Sequence, residues 1–541
     1  MHTRLTIKLL LLAIILPAFA FGQLVNSNLP IVIIETEGGQ PIPNEPKITA
    51  HMGIIWNQDD YNSISDPYNH YDGFIGIEIR GSSSQGFEKK NYALETRKAD
   101  GSNNNVSLFG FPEENDWVLH GPYSDKSLMR NAIAYTLAGW TMAYAPRVQF
   151  CEVVINGQYE GVYLFTEKIK RDKNRVDVAE LNPDENQGDD LTGGYILKFD
   201  KWDGADNDGF TSDYPADLDG FGTTWFLYHY PKPDEITEKQ KAYIQQWIRD
   251  LEFNLMSPYF DSPQYGYRQY FDVPSFINYL FIQEIGKNVD AYRLSTFFYK
   301  DKDSKNGKLF MGPVWDFNLA FGNADYCDGW QTAGWAWQFN EVCPSDAWVV
   351  HFWWERLWQD KAFLRETGLR WQDLRNDTLS NERIFGMVDS LYNMLVGPAN
   401  RNYQRFQTLG NYVWPNAYIG QSYQDEYFYL RNWLTARLNW LDSQMALLAE
   451  PEYVEADYFP PKVYPNPFRD RLTFEYYVRK EVPVSIQLYD ARGALVLQHI
   501  DDGHSNGSNS THLNTDLPNG LYFYRILFGD KREAAGKVVR N

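Results

Sequence analysis

Two apolar runs joined by a polar stretch constrain the fold of this chain more than any other feature. Residues 294–299 are rich in β-forming side chains, residues 300–307 are polar, and residues 308–314 are again largely apolar. This order of strand, turn and strand is typical of a hairpin. A hairpin returns the chain to its starting point, so we expect Asp290, before the first strand, to lie beside Asp316, after the second.

Two interpretations of this carboxylate pair stand side by side. Asp is common at strand ends because it favours turns and caps, where it serves the backbone alone. A pair held together by a hairpin can also form part of a catalytic site. The rest of the chain decides between them.

Composition defines the size and character of the protein. The chain has 541 residues, 43% of them hydrophobic, which is enough for a large core and up to about three domains. Aromatic residues make up 16%, including 18 Trp and 37 Tyr, a proportion that excludes a disordered chain. The net charge of −21 argues against nucleic acid and anionic membranes as partners and favours basic or hydroxyl-rich ones.

Residues 1–22 have the pattern of a signal peptide. Arg4 and Lys8 supply positive charge, residues 9–21 form a compact apolar run, and small residues precede Gln23. The apolar run is too short for a good transmembrane helix, and no later stretch qualifies. An uncleaved N-terminal anchor is the alternative. We expect an exported protein whose mature chain has no transmembrane anchor.

The three cysteines agree only loosely with export. Cys327 and Cys343 lie in one loop-like region and either form a disulfide or remain two free thiols. Cys151 lies in an apolar, strand-like run and is expected to be a buried small hydrophobe. The sequence has no CxxC pair and no HExxH or HxH spacing, so we expect no zinc site.

The apolar pattern changes twice along the chain. Residues 23–200 are predicted to be mostly strands with one helix, which begins at Ser124 or Asp125, and with a hairpin at Asn156-Gly157. Helices are predicted from Pro233, from Pro274 and through residues 345–450, where stripes of Trp and Tyr indicate a core.

The composition shifts again near Pro451. Several prolines mark residues 451–462 as a linker. Residues 463–541 alternate in the manner of short strands separated by turns, a pattern typical of a small β-sandwich.

A glycine-bounded loop at residues 81–86 is a candidate phosphate-binding element. Flexible glycines and exposed backbone N–H groups suit phosphate, although a plain surface loop has the same pattern. The loop lacks the Lys and Ser/Thr of a Walker A motif and the second Gly of a GxSxG motif. Lys89 or Lys90 beyond it could pair with phosphates, or be a solvated edge-strand lysine. Glu167 could lie where an adenine would bind, or at an exposed strand end.

Several short motifs follow one another along the chain. They are Arg80-Gly-Ser-Ser-Ser84 with Lys89-Lys-Asn-Tyr92, Asp116-Trp-Val-Leu119 with Tyr123-Ser-Asp-Lys-Ser-Leu-Met-Arg-Asn131, Asn156-Gly-Gln-Tyr-Glu-Gly-Val-Tyr-Leu-Phe-Thr-Glu-Lys168, Asn288-Val-Asp290, and Trp315-Asp-Phe-Asn318. In this order, over roughly residues 30–450, they resemble the CotH family, which is named for a spore-coat protein and has an atypical protein-kinase-like fold.

The resemblance implies an α+β, kinase-like, two-lobed domain over residues 23–450. It also implies ATP-dependent phosphorylation, with Mg²⁺ or Mn²⁺, of Ser or Thr in an exported or surface protein. Asp290 resembles the catalytic-loop Asp of a kinase, and Asp316 resembles the Asp that holds the metal. The candidates for nucleotide binding are Lys90, Arg80, Ser83 and Glu167.

Two departures from the kinase pattern favour an alternative. Ser295 occupies the position, five residues after Asp290, where a kinase has a metal-binding Asn, and it is our second metal candidate. Asn318 stands where family members often carry a second Asp. Either change could leave an inactive surface-binding or structural module with a relict nucleotide site.

A third interpretation is a glycan-active surface protein. It draws on the aromatic content and the acidic residues, and it predicts an exposed groove containing Trp330, Trp335 and Trp337. Buried packing explains these three tryptophans equally well.

The C-terminal region carries a second series of motifs. They are Val463-Tyr-Pro-Asn-Pro-Phe468, Leu488-Tyr-Asp-Ala-Arg-Gly493, Leu517-Pro-Asn-Gly-Leu-Tyr-Phe-Tyr524 and Lys537-Val-Val-Arg540. They resemble the C-terminal sorting domain of the type IX secretion system of Bacteroidetes-type bacteria. The resemblance implies that the type IX machinery takes the protein across the outer membrane and that the tail is removed. A plain carbohydrate-binding or immunoglobulin-like module is the alternative.

Overall fold

A computed structural model describes residues 24–58, 60–202, 208–263, 265–449, 461–478, 482–504, 507–529 and 532–541. The expected signal peptide lies outside these residues, as does the expected linker except for residues 461 and 462. The chain divides into two compact units, residues 1–449 and 450–541. The first unit combines helices and sheets in an α+β architecture, and the described part of the second is built from strands.

The first unit begins with β1 (Asn26–Ser27), β2 (Ile31–Thr36), β3 (Ile48–Ile55), β4 (Asn62–Ser63), β5 (Tyr71–Arg80), β6 (Asn91–Arg97), β7 (Asp116–His120), α1 (Arg130–Thr141), β8 (Val148–Ile155) and β9 (Gln158–Glu167). Seven of these strands form a closed barrel in the order β2-β3-β5-β6-β7-β9-β8, and β1 pairs with β4 in a separate two-stranded sheet. The parallel pairing of β2 with β8 closes the barrel, and the predicted Asn156-Gly157 turn joins β8 to β9. Apolar side chains, among them Trp117 and Phe165, fill the interior.

Helix α1 begins several residues later than its sequence predicts. The Asp125 carboxylate does accept backbone N–H groups, from Ser127 at 3.0 Å and from Arg130 at 2.9 Å. The intervening Leu128 has a φ of 64°, in the left-handed region, so the segment is a turn and the helix starts only at Arg130.

The rest of the first unit contains α2 (Gly188–Leu191), β10 (Tyr195–Phe199), β11 (Gly209–Thr211), β12 (Trp225–Tyr230), α3 (Glu238–Met256), α4 (Val273–Gly286), β13 (Thr296–Lys300), β14 (Leu309–Met311), α5 (Phe339–Val342), α6 (Trp353–Gln359), α7 (Lys361–Asn376), α8 (Asn381–Arg405) and α9 (Tyr423–Ala449). Its strands form a five-stranded antiparallel sheet, ordered β11-β12-β10-β13-β14, against which helices pack. The predicted hairpin is present as β13 and β14, with Phe298 opposite Met311.

Local capping explains where the predicted helices start. Helix α4 begins beside Pro274, as its sequence predicts, with the Asp272 carboxylate accepting the Ser275 N–H. Helix α3 starts at Glu238, later than the Pro233 signal, because Thr237 and Gln240 form a capping box there.

Polar side chains of helix α8 form hydrogen bonds and an ion pair with residues of the barrel region. The Lys89 ammonium donates to the Val162 carbonyl at 2.5 Å and to Asn402 Oδ1 at 2.7 Å. One residue earlier on the helix, Arg401 pairs with the buried carboxylate of Glu152 at 2.5 Å. These polar contacts fix the barrel against the helices that surround the sheet.

The described strands of the second unit are β15 (Lys462–Tyr464), β16 (Arg471–Val478), β17 (Val482–Asp490), β18 (Leu495–His504), β19 (Gly507–Asn514), β20 (Gly520–Phe528) and β21 (Arg532–Arg540). They form two antiparallel sheets, ordered β15-β16-β19 and β18-β17-β20-β21. Apolar residues of both sheets, such as Phe474 and Ile486, form one core. Among the described residues of the whole chain, no helix is both long and apolar enough to cross a membrane.

Candidate active site

A cavity of about 760 Å³ lies between the barrel and the five-stranded sheet. Side chains from β5, β7 and β9 line one side, and side chains from β10, β12 and β13 line the other. Five of the seven candidate residues line this cavity: Asp290, Asp316, Ser295, Arg80 and Ser83. Lys90 and Glu167 do not.

The hairpin brings Asp290 and Asp316 to the cavity, and Asn288 joins their backbones. The Asn288 side chain donates to the Asp316 carbonyl at 3.1 Å and accepts the Asp290 N–H at 3.2 Å. A single amide therefore fixes the backbone of both residues.

Asp316 has an uncommon backbone conformation that its neighbours maintain. Its φ is 63°, in the left-handed region, which costs most non-glycine residues about 1–2 kcal/mol and which Asp tolerates better than most. Its N–H donates to the Tyr135 hydroxyl at 3.1 Å, and the next N–H, of Phe317, donates to Asn131 Oδ1 at 2.6 Å. Both acceptors belong to α1, so this helix orients the segment that carries Asp316.

Asp290 is held by an arginine from its own loop. Arg293 pairs with the Asp290 carboxylate at 3.2 Å and with Asp346, also at 3.2 Å. The buried guanidinium also lies 3.9 Å from the centre of the Phe339 ring. These contacts leave Arg293 little freedom, and they restrict the rotation of the Asp290 side chain.

The carboxylates of the cavity repel one another. Burial raises the pKa of Asp316 to about 7, with further contributions from the charges of Asp290 and Asp200. Burial also raises the pKa of Asp290, while Arg293 opposes that shift. A divalent cation beside Asp316 would relieve this repulsion.

The donor set fits such a cation. Ser295 and Asn318 line the same cavity, so hydroxyl and amide oxygens accompany the carboxylates. Oxygen donors of these kinds are the ligands that Mg²⁺ and Mn²⁺ prefer.

Cations also line the cavity. In the part of the chain that the structure describes, the charged groups of Arg80 and Lys168 form no hydrogen bond or ion pair, and burial lowers the pKa of each. The Arg80 guanidinium lies 5.4 Å from the Trp315 ring centre. Lys201 reaches Ser83 at 3.4 Å, and Lys198 pairs with Asp200 at 2.9 Å. Partly buried cations without an ion-pair partner suit an anionic ligand such as a phosphate.

Lys90 and Glu167, the two candidates outside the cavity, have structural partners instead. The Lys90 ammonium donates to the carbonyls of Gln85 at 2.7 Å and Phe87 at 2.5 Å and so closes its own loop. Glu167 is fully buried and pairs with Arg147 at 2.9 Å and Arg175 at 3.6 Å. Their charges are already used by the protein.

Sequence reasoning missed several residues of the site. Lys168 follows Glu167 directly, and strand alternation places neighbouring side chains on opposite sides. Glu167 is buried, so this alternation turns Lys168 outward. The sequence-based interpretation of Glu167 as a nucleotide contact or an exposed strand end therefore misses Lys168. By contrast, no short pattern marks Tyr135 or Arg293, because their roles depend on contacts with Asp316 and Asp290.

The cysteines and the three tryptophans singled out in the sequence do not line the cavity. Cys327 and Cys343 form a disulfide, with Cα atoms 5.4 Å apart, and Cys151 is a buried free thiol as expected. Trp335 packs 4.8 Å from Trp358, measured between ring centres, and Trp337 packs 5.0 Å from the same ring. Packing therefore accounts for these tryptophans, although Trp330 is 40% exposed.

Comparison with known families assigns both units. No curated protein matches the chain significantly. Residues 462–541 match the family model of the secretion system C-terminal sorting domain, which supports secretion or a cell-surface location. Residues 77–441, more than half of the chain, match the model described as CotH kinase protein. The chain therefore belongs to the CotH family.

Proposed function

We propose that the protein transfers a phosphoryl group from ATP to a Ser or Thr hydroxyl of an exported or surface protein. The observation that carries this proposal is the meeting of Asp290, Asp316, Arg80 and Lys168 at one cavity, where neither cation forms an ion pair with any residue that the structure describes. In this interpretation the first unit is a two-lobed, kinase-like domain, with the barrel as one lobe and the sheet with its helices as the other. The cavity lies between the lobes, where kinases bind their nucleotide.

Each group has a defined role in the proposed reaction. Asp290 orients the acceptor hydroxyl and takes its proton as the oxygen attacks the terminal phosphorus. The new O–P bond forms as the bond to the bridging oxygen breaks, and ADP leaves with that electron pair. Arg80 and Lys168 bind phosphate oxygens and offset their charge.

The proposed metal position is at Asp316. Asp316, Ser295 and Asn318 would hold Mg²⁺ or Mn²⁺, and the cation supplies charge neutralisation at the phosphates when bound. Asn288, Asn131 and Tyr135 keep the Asp316 backbone in place, so that little reorganisation is needed when the ligand arrives.

A second candidate function is an inactive binding module with a relict nucleotide site. Two observations favour it. Ser295 and Asn318 are neutral where stronger ligands are expected. Among the described residues, the one group of three close metal-ligating side chains involves Cys327, Cys343 and Asp346, and both of those cysteines are in the disulfide.

A thermal-shift titration of the mature chain with ATP and Mn²⁺ or Mg²⁺ tests the proposal. Ligand that binds only the folded state must raise the melting temperature. We expect a metal-dependent rise that Asp316→Ala abolishes and the exposed control Asp234→Ala retains. Transfer of labelled γ-phosphate to protein should disappear in Asp290→Ala. Binding without transfer in the wild type would favour the inactive module, and no shift at millimolar ATP would contradict both nucleotide-based functions.

We propose further that the second unit is a β-sandwich that directs type IX export and is then removed. The intact mass of the extracellular protein tests this directly. The expected product begins at Gln23 and lacks residues 463–541. A full-length extracellular chain would contradict removal of the tail.

A further inference from the structure

Tyr135 has a hydroxyl proton that the protein leaves unused. The side chain projects from α1, is only 3% exposed and lines the cavity. Its oxygen accepts the Asp316 N–H at 3.1 Å. Among the described residues, its own O–H has no acceptor. Because a buried hydroxyl that donates to nothing loses the hydrogen bonds it had in water, this donor should find its partner in a ligand.

The surroundings of Tyr135 define the charge of that ligand. Its ring stacks on Trp315, with ring centres 5.8 Å apart, and the unpaired Arg80 guanidinium lies over the same indole. The Tyr135 hydroxyl and the Arg80 guanidinium therefore both line the cavity and both lie against Trp315. Both are donors, and a group with several anionic oxygens satisfies both at once.

We propose that Tyr135 is a phosphate-binding residue whose hydroxyl donates to a terminal phosphate oxygen while it accepts the Asp316 N–H. The identity of the phosphate as that of a nucleotide rests on the function proposed above. One oxygen atom then links the ligand to the backbone of Asp316. Donating strengthens accepting in such a chain, so phosphate binding should tighten the hydrogen bond that holds Asp316 in its left-handed conformation.

Two other roles for Tyr135 make different predictions. If Tyr135 only holds Asp316 in position, loss of its hydroxyl would change ligand affinity only through the metal at Asp316. A hydrogen bond to metal-bound water would likewise require the cation. Only a direct contact between the Tyr135 hydroxyl and the phosphate predicts that loss of this hydroxyl weakens phosphate binding when no divalent cation is present.

The test compares Tyr135→Phe with the wild type in the full mature chain. Inorganic tripolyphosphate and ATP are titrated by calorimetry, once in EDTA and once with Mn²⁺. Tyr144→Phe is the matched control, because that hydroxyl is bonded to Glu167 at 3.2 Å, away from the cavity. We expect Tyr135→Phe to bind tripolyphosphate about 10- to 100-fold more weakly in EDTA, the usual effect of losing a hydrogen bond to a charged group. The control should keep wild-type affinity.

Three outcomes would overturn the inference: equal affinities of wild type and Tyr135→Phe in EDTA, a loss confined to Mn²⁺ solutions, or no binding of tripolyphosphate by the wild type. If Tyr135→Phe does not fold, replacement of Tyr135 by 3-fluorotyrosine, a stronger donor of similar shape, should tighten tripolyphosphate binding, and unchanged affinity would count against the proposal. Failure of the proposed function has a separate signature. The wild type would then bind tripolyphosphate through Tyr135 without transferring phosphate from ATP to protein.

Discussion

Asn288 donates a hydrogen bond from Nδ2 to the backbone carbonyl of Asp316, at 3.1 Å, and so joins the two ends of the β13–β14 hairpin. The same side chain accepts the Asp290 N–H. The relative position of the two carboxylate-bearing residues therefore depends on one buried amide. It depends on the hairpin as well, because β13 and β14 determine where the chain leaves and returns.

Replacement Asn288→Asp should separate this bridge from general stability. The new carboxylate can still accept the Asp290 N–H, but it cannot donate to the Asp316 carbonyl, and it adds charge beside two carboxylates. Loss of such a bond costs about 1–3 kcal/mol, so we expect ATP–Mn²⁺ affinity and phosphoryl transfer to fall by about 5- to 100-fold. Asn278→Asp is the matched control, because its amide also donates to a carbonyl, that of Thr141 at 2.7 Å, outside the cavity. Equal activity of the two variants would contradict a role of Asn288 in the site.

The hairpin is the part of the site that sequence alone predicts. Strand patterns and a polar turn identify the two strands, and chain geometry alone then brings Asp290 near Asp316. The prediction needs no long-range information, since the contact follows from local structure. The barrel strands and the Asn156-Gly157 turn are also predicted from local sequence, because Asn-Gly favours the backbone conformation of a two-residue hairpin turn.

Asp346→Asn should shift the pH dependence of transfer. Burial raises the pKa of Asp290, Arg293 lowers it, and the charge of Asp346 adds to the rise. If transfer requires ionised Asp290, activity falls as the pH drops through that pKa. Asn keeps the shape of Asp346 but removes its charge, so the acid limb of the kcat profile should move to lower pH. The profile is measured at saturating Mn²⁺, so that Asp316, whose pKa burial raises to about 7, stays ionised with its cation. Under that condition a shift to higher pH, or none, would contradict the role of Asp290 as base. Asp373→Asn, an exposed site on α7, is the control.

Other parts of the site follow from contacts between distant segments. Arg293 is assigned by its ion pair with Asp346 and Tyr135 by its bond to the Asp316 backbone, and neither partner is near in sequence. The prediction that Lys89 or Lys90 contacts phosphate fails for a similar reason. The Lys89 ammonium is buried between the barrel and α8, and that of Lys90 closes its own loop, so neither faces the cavity. Strand periodicity could have indicated Lys168, but tertiary packing decides the others.

The Cys327–Cys343 disulfide should stabilise the first unit measurably. The cysteines are 16 positions apart, and closing a loop of about this length contributes about 3 kcal/mol through the entropy of the unfolded chain. We expect reductant to lower the unfolding free energy of the wild type by about 2–4 kcal/mol. Cys343→Ser should show that loss without reductant and little further change with it. Cys151→Ala, with the disulfide intact, should still respond to reductant. Insensitivity of the wild type to reductant would contradict a structural role for the bond.

Lys89 should make the stability of the protein rise with pH, whereas a surface lysine in an ion pair makes stability fall as the pH rises. Burial lowers the pKa of Lys89 from its ordinary value to about 7. Between about pH 7 and pH 10 the unfolded chain therefore binds more protons at this residue than the folded chain does. Stability rises with pH wherever the unfolded state binds more protons, so Lys89 adds a slope of up to about 1.4 kcal/mol per pH unit in this window. Below the window both states are protonated, and the contribution is constant.

Lys89→Met removes this slope and keeps most of the side-chain volume. Urea unfolding at pH 6.5 and pH 9 should show the wild type gaining stability relative to the variant as the pH rises, whatever the absolute difference between them. Lys239→Met, on the exposed face of α3, is the control and should keep the wild-type pH dependence. Parallel curves for wild type and Lys89→Met would mean that Lys89 stays charged in the folded protein. In that case its bonds to the Val162 carbonyl and Asn402 would compensate fully for the loss of water.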